Sequence, residues 1–155
     1  MKRMIVTGLA ALTLVGACTA QQQQATQTLV ERPRVLAPEQ AIHAAAASPE
    51  DGIEGVFAFR VASVGGSRSR VFLNSAADYH DPGNLSVMLP SATAKEIERM
   101  LGAPLETALV AKEVSVTGTA RQVKVNVYGP DRKRTGETRT QTRISVASAD
   151  NIAVR

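Results

Sequence analysis

The sequence predicts a mainly β domain, a five-stranded barrel with a helix between its third and fourth strands and a short helix ahead of the first. Three observations predict it. Apolar and polar residues alternate in short runs from Ile53 onward, the period of a half-buried strand. Clusters of Gly, Pro, Asn and Asp punctuate those runs. Between the third and fourth runs the spacing changes, and Ile97, Met100 and Leu101 fall on one face of a helix.

The elements follow in order. Pro38 ahead of Glu39-Gln40-Ala41-Ile42 and the alanines to Ala47 reads as a short helix with proline in its first turn. Ser48-Pro49 and Asp51-Gly52 end it. Ile53–Val64 reads as the first strand, with Phe57, Phe59 and Val61 on one face and Ala58, Arg60 and Ala62 on the other. Gly65-Gly66 turns the chain, and Val71–Ser75 is the second strand. Asp81-Pro82-Gly83-Asn84 is a turn cluster, and Leu85–Leu89 is the third strand.

Thr93 and Glu96 have capping-box spacing, which starts the central helix, and Gly102 with Pro104 ends it. Glu113–Tyr128 is a long fourth strand in which Gly118 is expected to mark a bulge or bend. Gly129–Thr138 reads as a polar turn region and Thr140–Ala147 as the fifth strand. This order is that of an OB-like β-barrel.

Ahead of the domain lies a leader. Lys2 and Arg3 precede the apolar run Met4–Val15, which is far short of the roughly 20 residues that span a bilayer. Val15-Gly16-Ala17-Cys18 follows, and Cys18 is the chain's 1 cysteine. This arrangement resembles the lipobox of bacterial lipoproteins. The resemblance implies cleavage between Ala17 and Cys18, lipidation of the Cys18 thiol, and acyl chains such as palmitate at the new terminus. Each buried CH2 contributes about 0.8 kcal/mol, so two or more chains hold stably where one is marginal. In that family, Asp after the cysteine favours retention at the inner membrane. Thr19 occupies that position here, so the expected address is periplasm-facing and at the outer membrane of the cell envelope.

The expected organisation is a signal peptide over 1–17, a flexible tether over 18–34 and the barrel over 35–155. Gln21–Gln24 and the Thr/Gln alternation beyond have almost nothing to bury. Such a tether reaches roughly 20–25 Å in r.m.s. terms. Removal of the leader leaves 16 basic against 14 acidic side chains, too even a balance to mark a nucleic-acid binder. With Cys18 acylated, no thiol remains for a disulfide, so the core must hold the domain together.

Val71-Phe72-Leu73-Asn74, Tyr79 and Leu85-Ser86-Val87 resemble the second and third strands of small bacterial OB domains. Val114–Thr119 and Ile144-Ser145-Val146 with Ala149–Ile152 are similar to their last two strands. The segment Val123–Thr142 departs from that pattern by lengthening the final hairpin. The resemblance brings no catalytic motif with it.

No hydrolase elbow, P-loop, dinucleotide fingerprint or His-Glu-x-x-His pair occurs. The expectation is therefore a non-enzyme without metal or cofactor, with His43 and His80 in separate elements and Tyr79-His80-Asp81 a solvated turn. The OB-like fold would place Arg68 and Arg70 in one loop at the same end as Arg132, Lys133 and Arg134 in another, with Arg139 and Arg143 nearby. Arginine's fork pairs two oxygens at once, so these are the candidate ligand-binding residues. Phe57 and Phe59 are expected in the core, which leaves Phe72, Tyr79 and Tyr128 as exposed rings.

The expected function is a lipid-anchored, non-catalytic binding or accessory module of the bacterial envelope. Its partners would be the membrane through Cys18 and an envelope protein or an anionic glycan or lipid. The alternative is an OB domain binding single-stranded nucleic acid or another polyanion through its basic loops; few aromatic platforms and an exported address weigh against nucleic acid.

Overall fold

The computed structural model describes residues 34–129, 131 and 133–155. Cys18, the leader and the tether up to residue 33 lie outside the described residues, as does Arg132. The described chain is mainly β. Its elements are β1 (Val35–Leu36), α1 (Pro38–Ala47), β2 (Ile53–Arg60), β3 (Ser63–Gly66), β4 (Arg70–Asn74) and β5 (Leu85–Pro90), followed by α2 (Ser91–Leu101) and α3 (Leu105–Leu109). Then come β6 (Glu113–Tyr128), β7 (Arg134–Ser145), a 3-10 turn (Ala149–Asn151) and β8 (Ile152–Val154).

The strands form one eight-stranded sheet in the order β1-β2-β6-β7-β5-β4-β3, with β8 against β6. That count exceeds the expected five for physical reasons. The expected first strand is interrupted at Val61-Ala62, where the backbone changes partners. The Val61 N–H donates to the Lys112 carbonyl at 2.9 Å, its own carbonyl accepts from Ala111 at 2.8 Å, and the Ala62 N–H donates to Asn74 at 2.8 Å. Upstream, β2 pairs antiparallel with β6; downstream, β3 pairs antiparallel with β4. The sheet therefore curls until its far strand joins β2 through two residues of chain. The short strands β1 and β8 add to β2 and β6.

Alternation puts Phe57, Phe59, Val61, Leu73, Leu85, Val87, Leu89, Val114, Val116 and Ile144 in a single buried cluster. Full burial of each larger side chain is worth about 1.5–3 kcal/mol as an upper estimate. In α1, Ala41 and Ala45 are buried, and small side chains let that helix lie close on β2 and β6. The Gln40 side chain accepts the Ala37 N–H at 3.0 Å and so satisfies one orphan donor of the first turn.

The central helix differs from the expected capping box. It starts at Ser91, after Pro90, and Thr93 lies inside the first turn. The buried Thr93 hydroxyl instead donates to the Ala147 carbonyl at 2.7 Å and ties α2 to the segment after β7. Gly102 ends α2 in the left-handed conformation, φ 71°. Pro104 opens α3, a helix absent from the sequence reading, which buries Leu105 and Leu109.

Of the bulge or bend expected at Gly118, the bulge is absent. β6 pairs with β2 in continuous register from Glu113 to Ala120, and its irregularity falls between Asn126 and Tyr128. Glycine is needed at 118 for close packing, because a Cβ there would stand 2.9 Å from Ile144 Cγ2. The region expected to be a polar turn pairs early: β7 begins at Arg134 and runs antiparallel to β6. Residues 134–140 are exposed, so no apolar face betrayed the strand.

Candidate functional site

Strand register builds the outer face of β3, β4, β5 and β7 row by row. Val71 and Leu73 face the core, so Phe72 faces outward between them. Leu85, Val87 and Leu89 do the same for Ser86 and Met88. One row holds Gly65, Phe72, Met88 and Ser145; the next holds Ser63, Asn74, Ser86 and Arg143. The half-buried Arg143 reaches across so that its guanidinium carbon lies 5.0 Å from the Phe72 ring centroid, within cation–π range.

Loop 75–84 covers part of this face. Buried Asn84 organises it by accepting from the Ala76 N–H at 3.1 Å and donating to Asn74 Oδ1 at 3.2 Å. Gln141 then links loop to strand: its Nε2 donates to the Tyr79 carbonyl at 2.7 Å, and its Oε1 accepts from Arg143 Nη2 at 3.1 Å. Arg143 is thus held by a ring on one side and a hydrogen-bonded amide on the other. Its buried Nε has no hydrogen-bond partner among the described residues.

Electrostatics around this guanidinium are unbalanced. Burial lowers the Arg143 pKa from its ordinary value, and the nearby Arg70 charge lowers it further. Arginine stays protonated regardless, so both effects are standing costs on a charge that cannot be shed. Among the described residues the acidic side chains that meet a basic one are Asp78, hydrogen-bonded to the His80 ring at 2.9 Å, and Asp131, 3.9 Å from Lys133; neither contact includes Arg70 or Arg143. Arg121 stands opposite Arg143 on β6, but its Nη1 donates to the Glu50 carbonyl at 3.0 Å.

The expected convergence of the two basic loops does not occur in the described part. Arg70 pairs opposite Pro90 at the far end of β5, whereas β7 meets the near end of β5 only at Thr142. Arg134 lies eight positions before Thr142, roughly 25 Å further out along the strand. Arg70 and Arg134 therefore sit at opposite ends of the ladder. Lys133, beside Arg134, pairs with Asp131, and Arg134 Nη2 donates to Asn126. Arg68 is exposed in the Ser67–Ser69 turn near Arg70. Arg139 is exposed opposite Val125.

Phe57 and Phe59 are buried, while Tyr79 and Tyr128 are exposed. Tyr79, His80 and Asp81 line a cleft against Val125, Val127 and Gln141 with room of about 20 Å³, little more than one water. There the backbone N–H and imidazole of His80 hold the Asp78 carboxyl below its ordinary range. Among the described residues no group of three His, Cys, Asp or Glu could hold a metal ion. Sequence reasoning missed Gln141 and Asn84. Gln141 was accessible to it, since it stands two residues before Arg143 and shares that strand face; Asn84 was not, because only the folded loop reveals its partners.

Comparisons with known proteins name no family: no family model and no curated protein matches the chain. Among solved structures, the chain is similar to one described as "a putative aspartyl-tRNA synthetase from Leishmania major Friedlin", at 12% identity and a TM-score of 0.45. That likeness covers 83% of this chain and 22% of that one.

Proposed function

We propose that this protein is a lipid-anchored, periplasm-facing binding module of the bacterial envelope, built on an OB-like barrel and working without catalysis. The observation that carries the fold part is connectivity. If β2 and β3 are counted as one bent strand, the pairings become first with second, second with third, third with fifth in parallel, fifth with fourth, and fourth with first. A parallel third–fifth pair with helices between the third and fourth strands is the OB arrangement. Such barrels expose the outer face of their second and third strands to ligands, and here that face carries Phe72 and Met88, with Arg143 beside them on the fifth strand.

The anchor part rests on Val15-Gly16-Ala17-Cys18 and the charged, apolar leader before it. The mechanism is tethering: acyl chains on Cys18 hold the protein to a membrane, the Gln/Thr-rich segment supplies reach, and the barrel meets a partner. The polyanion alternative loses its main support, since Arg70 and Arg134 sit at opposite ends of the ladder. Mass spectrometry of the protein purified from cells tests the reading. The expected product begins at a diacylglyceryl-modified Cys18 and sediments with membranes, and Cys18→Ser releases it. An unmodified peptide beginning at Met1 in the soluble fraction would overturn it.

A further inference from the structure

The geometry points to an anion site on the outer face of β4, β5 and β7, where Arg143 and Arg70 together bind the phosphate group of a ligand. The inference deepens the binding-module reading and rests on it for the choice of exposed face. Three observations carry it. Arg143 is stacked on Phe72 and fixed by Gln141, so its fork is pre-aimed rather than mobile. A second cation, Arg70, stands two residues before Phe72 on the same face of β4, and so flanks the ring on which the Arg143 guanidinium lies. No carboxylate pairs with either among the described residues.

Surface arginines ordinarily settle into water or beside an acid. Two of them on one sheet face, one of them half desolvated on an aromatic ring, cost free energy until an anion arrives. A bound anion offsets both costs. It attracts both guanidinium groups and accepts charge-assisted hydrogen bonds from their free N–H groups. Two converging positive charges suit the doubly charged oxygens of a phosphate better than a single carboxylate. Met88, in the same row as Phe72, offers an apolar surface for whatever the phosphate is attached to. A soluble phosphorylated compound and a phosphorylated lipid headgroup present the same chemistry.

The test uses the purified protein in neutral-detergent micelles free of phosphate buffer. Pyrophosphate is titrated by calorimetry in one arm, and micelles doped with phosphatidic acid are titrated in the other. Saturable binding is expected in at least one arm, and the arm that saturates more tightly identifies the source. Arg70→Gln, an exposed change that spares the fold, should weaken binding at least tenfold, and so should Arg143→Gln. Arg99→Gln on α2 should leave it unchanged. In 15N spectra the Arg143 Nε resonance should shift on saturation. No saturable binding in either arm, or equal binding by all three variants, would overturn the site. So would binding of a thymidine oligonucleotide without binding of pyrophosphate. The mass of the Cys18 peptide from the same preparation judges the anchor separately, so either proposal can fail while the other stands.

Discussion

A missing side chain at position 118 shows how tightly the curled sheet is packed. Val116 and Ala120 on either side of Gly118 are fully buried, and Ile144 from β7 fills the space over the glycine. Its Cγ2 belongs to a β-branched side chain locked in the core, with little freedom to turn aside. Gly118→Ala should therefore cost about 1–3 kcal/mol by overpacking, despite alanine's smaller unfolded-state entropy. Urea denaturation followed by circular dichroism reads this as a lower midpoint at unchanged slope. A variant as stable as the parent would mean that Ile144 can move, and that the close approach is incidental. The sequence alone indicated that 118 was special but assigned a different cause. A glycine in a strand signals either a bulge or a near neighbour, and only the position of Ile144 decides between them.

At the scale of elements, the β6–β7 hairpin is divided into two halves with different physics. From Glu113 to Ala120, β6 pairs with β2, and over Val114–Val116 with β8 as well, and its inward residues join the core. Beyond Ile53 and Leu85 the neighbouring strands end, and residues 121–128 and 134–141 continue as a two-stranded ribbon. No residue of that ribbon belongs to the buried cluster. An isolated two-stranded ribbon is marginal in water. Its amides should exchange with solvent far faster than those of Val114–Ala120, by native-state hydrogen exchange.

Replacing residues 127–137 by Asn-Gly, which keeps Asn126 opposite Thr138, should accordingly change stability by less than about 1 kcal/mol. A larger loss would show that the outer ribbon supports the barrel. The inner strands were legible in the sequence because burial on one face writes a period of two. The outer ribbon was half legible: Val123, Val125 and Val127 alternate, but residues 134–140 across the ribbon are exposed and leave no apolar trace. The candidate site was legible to the same degree. Its arginines could be named, yet their grouping depends on register, which sets Arg143 one row from Phe72, within reach of its ring, and leaves Arg134 far off.

For the molecule as a whole, the critical place is the two-residue junction where one strand changes partners. Val61 is fully buried and hydrogen-bonded to the segment 111–112 just before β6, while Ala62 is hydrogen-bonded to Asn74 at the end of β4. Ala111, which meets Val61 there, adopts φ 65°, a left-handed conformation that costs a non-glycine residue roughly 1–2 kcal/mol. The fold tolerates that cost because the turn lets β6 begin directly beneath the junction. The β2–β6 and β3–β4 pairings thus share one hinge, and neither can open without dragging the other. Proline at 62 would remove the hydrogen bond to Asn74 and constrain the preceding residue. Ala62→Pro should lower stability by at least about 2 kcal/mol, from the lost bond and the strain on Val61 together. More tellingly, amide protection should fall in parallel in β2, β4, β5 and β6, because the curled sheet unfolds as one unit. Loss confined to β3 and β4 would show two halves that fold separately, with residues 61–62 a mere linker between them.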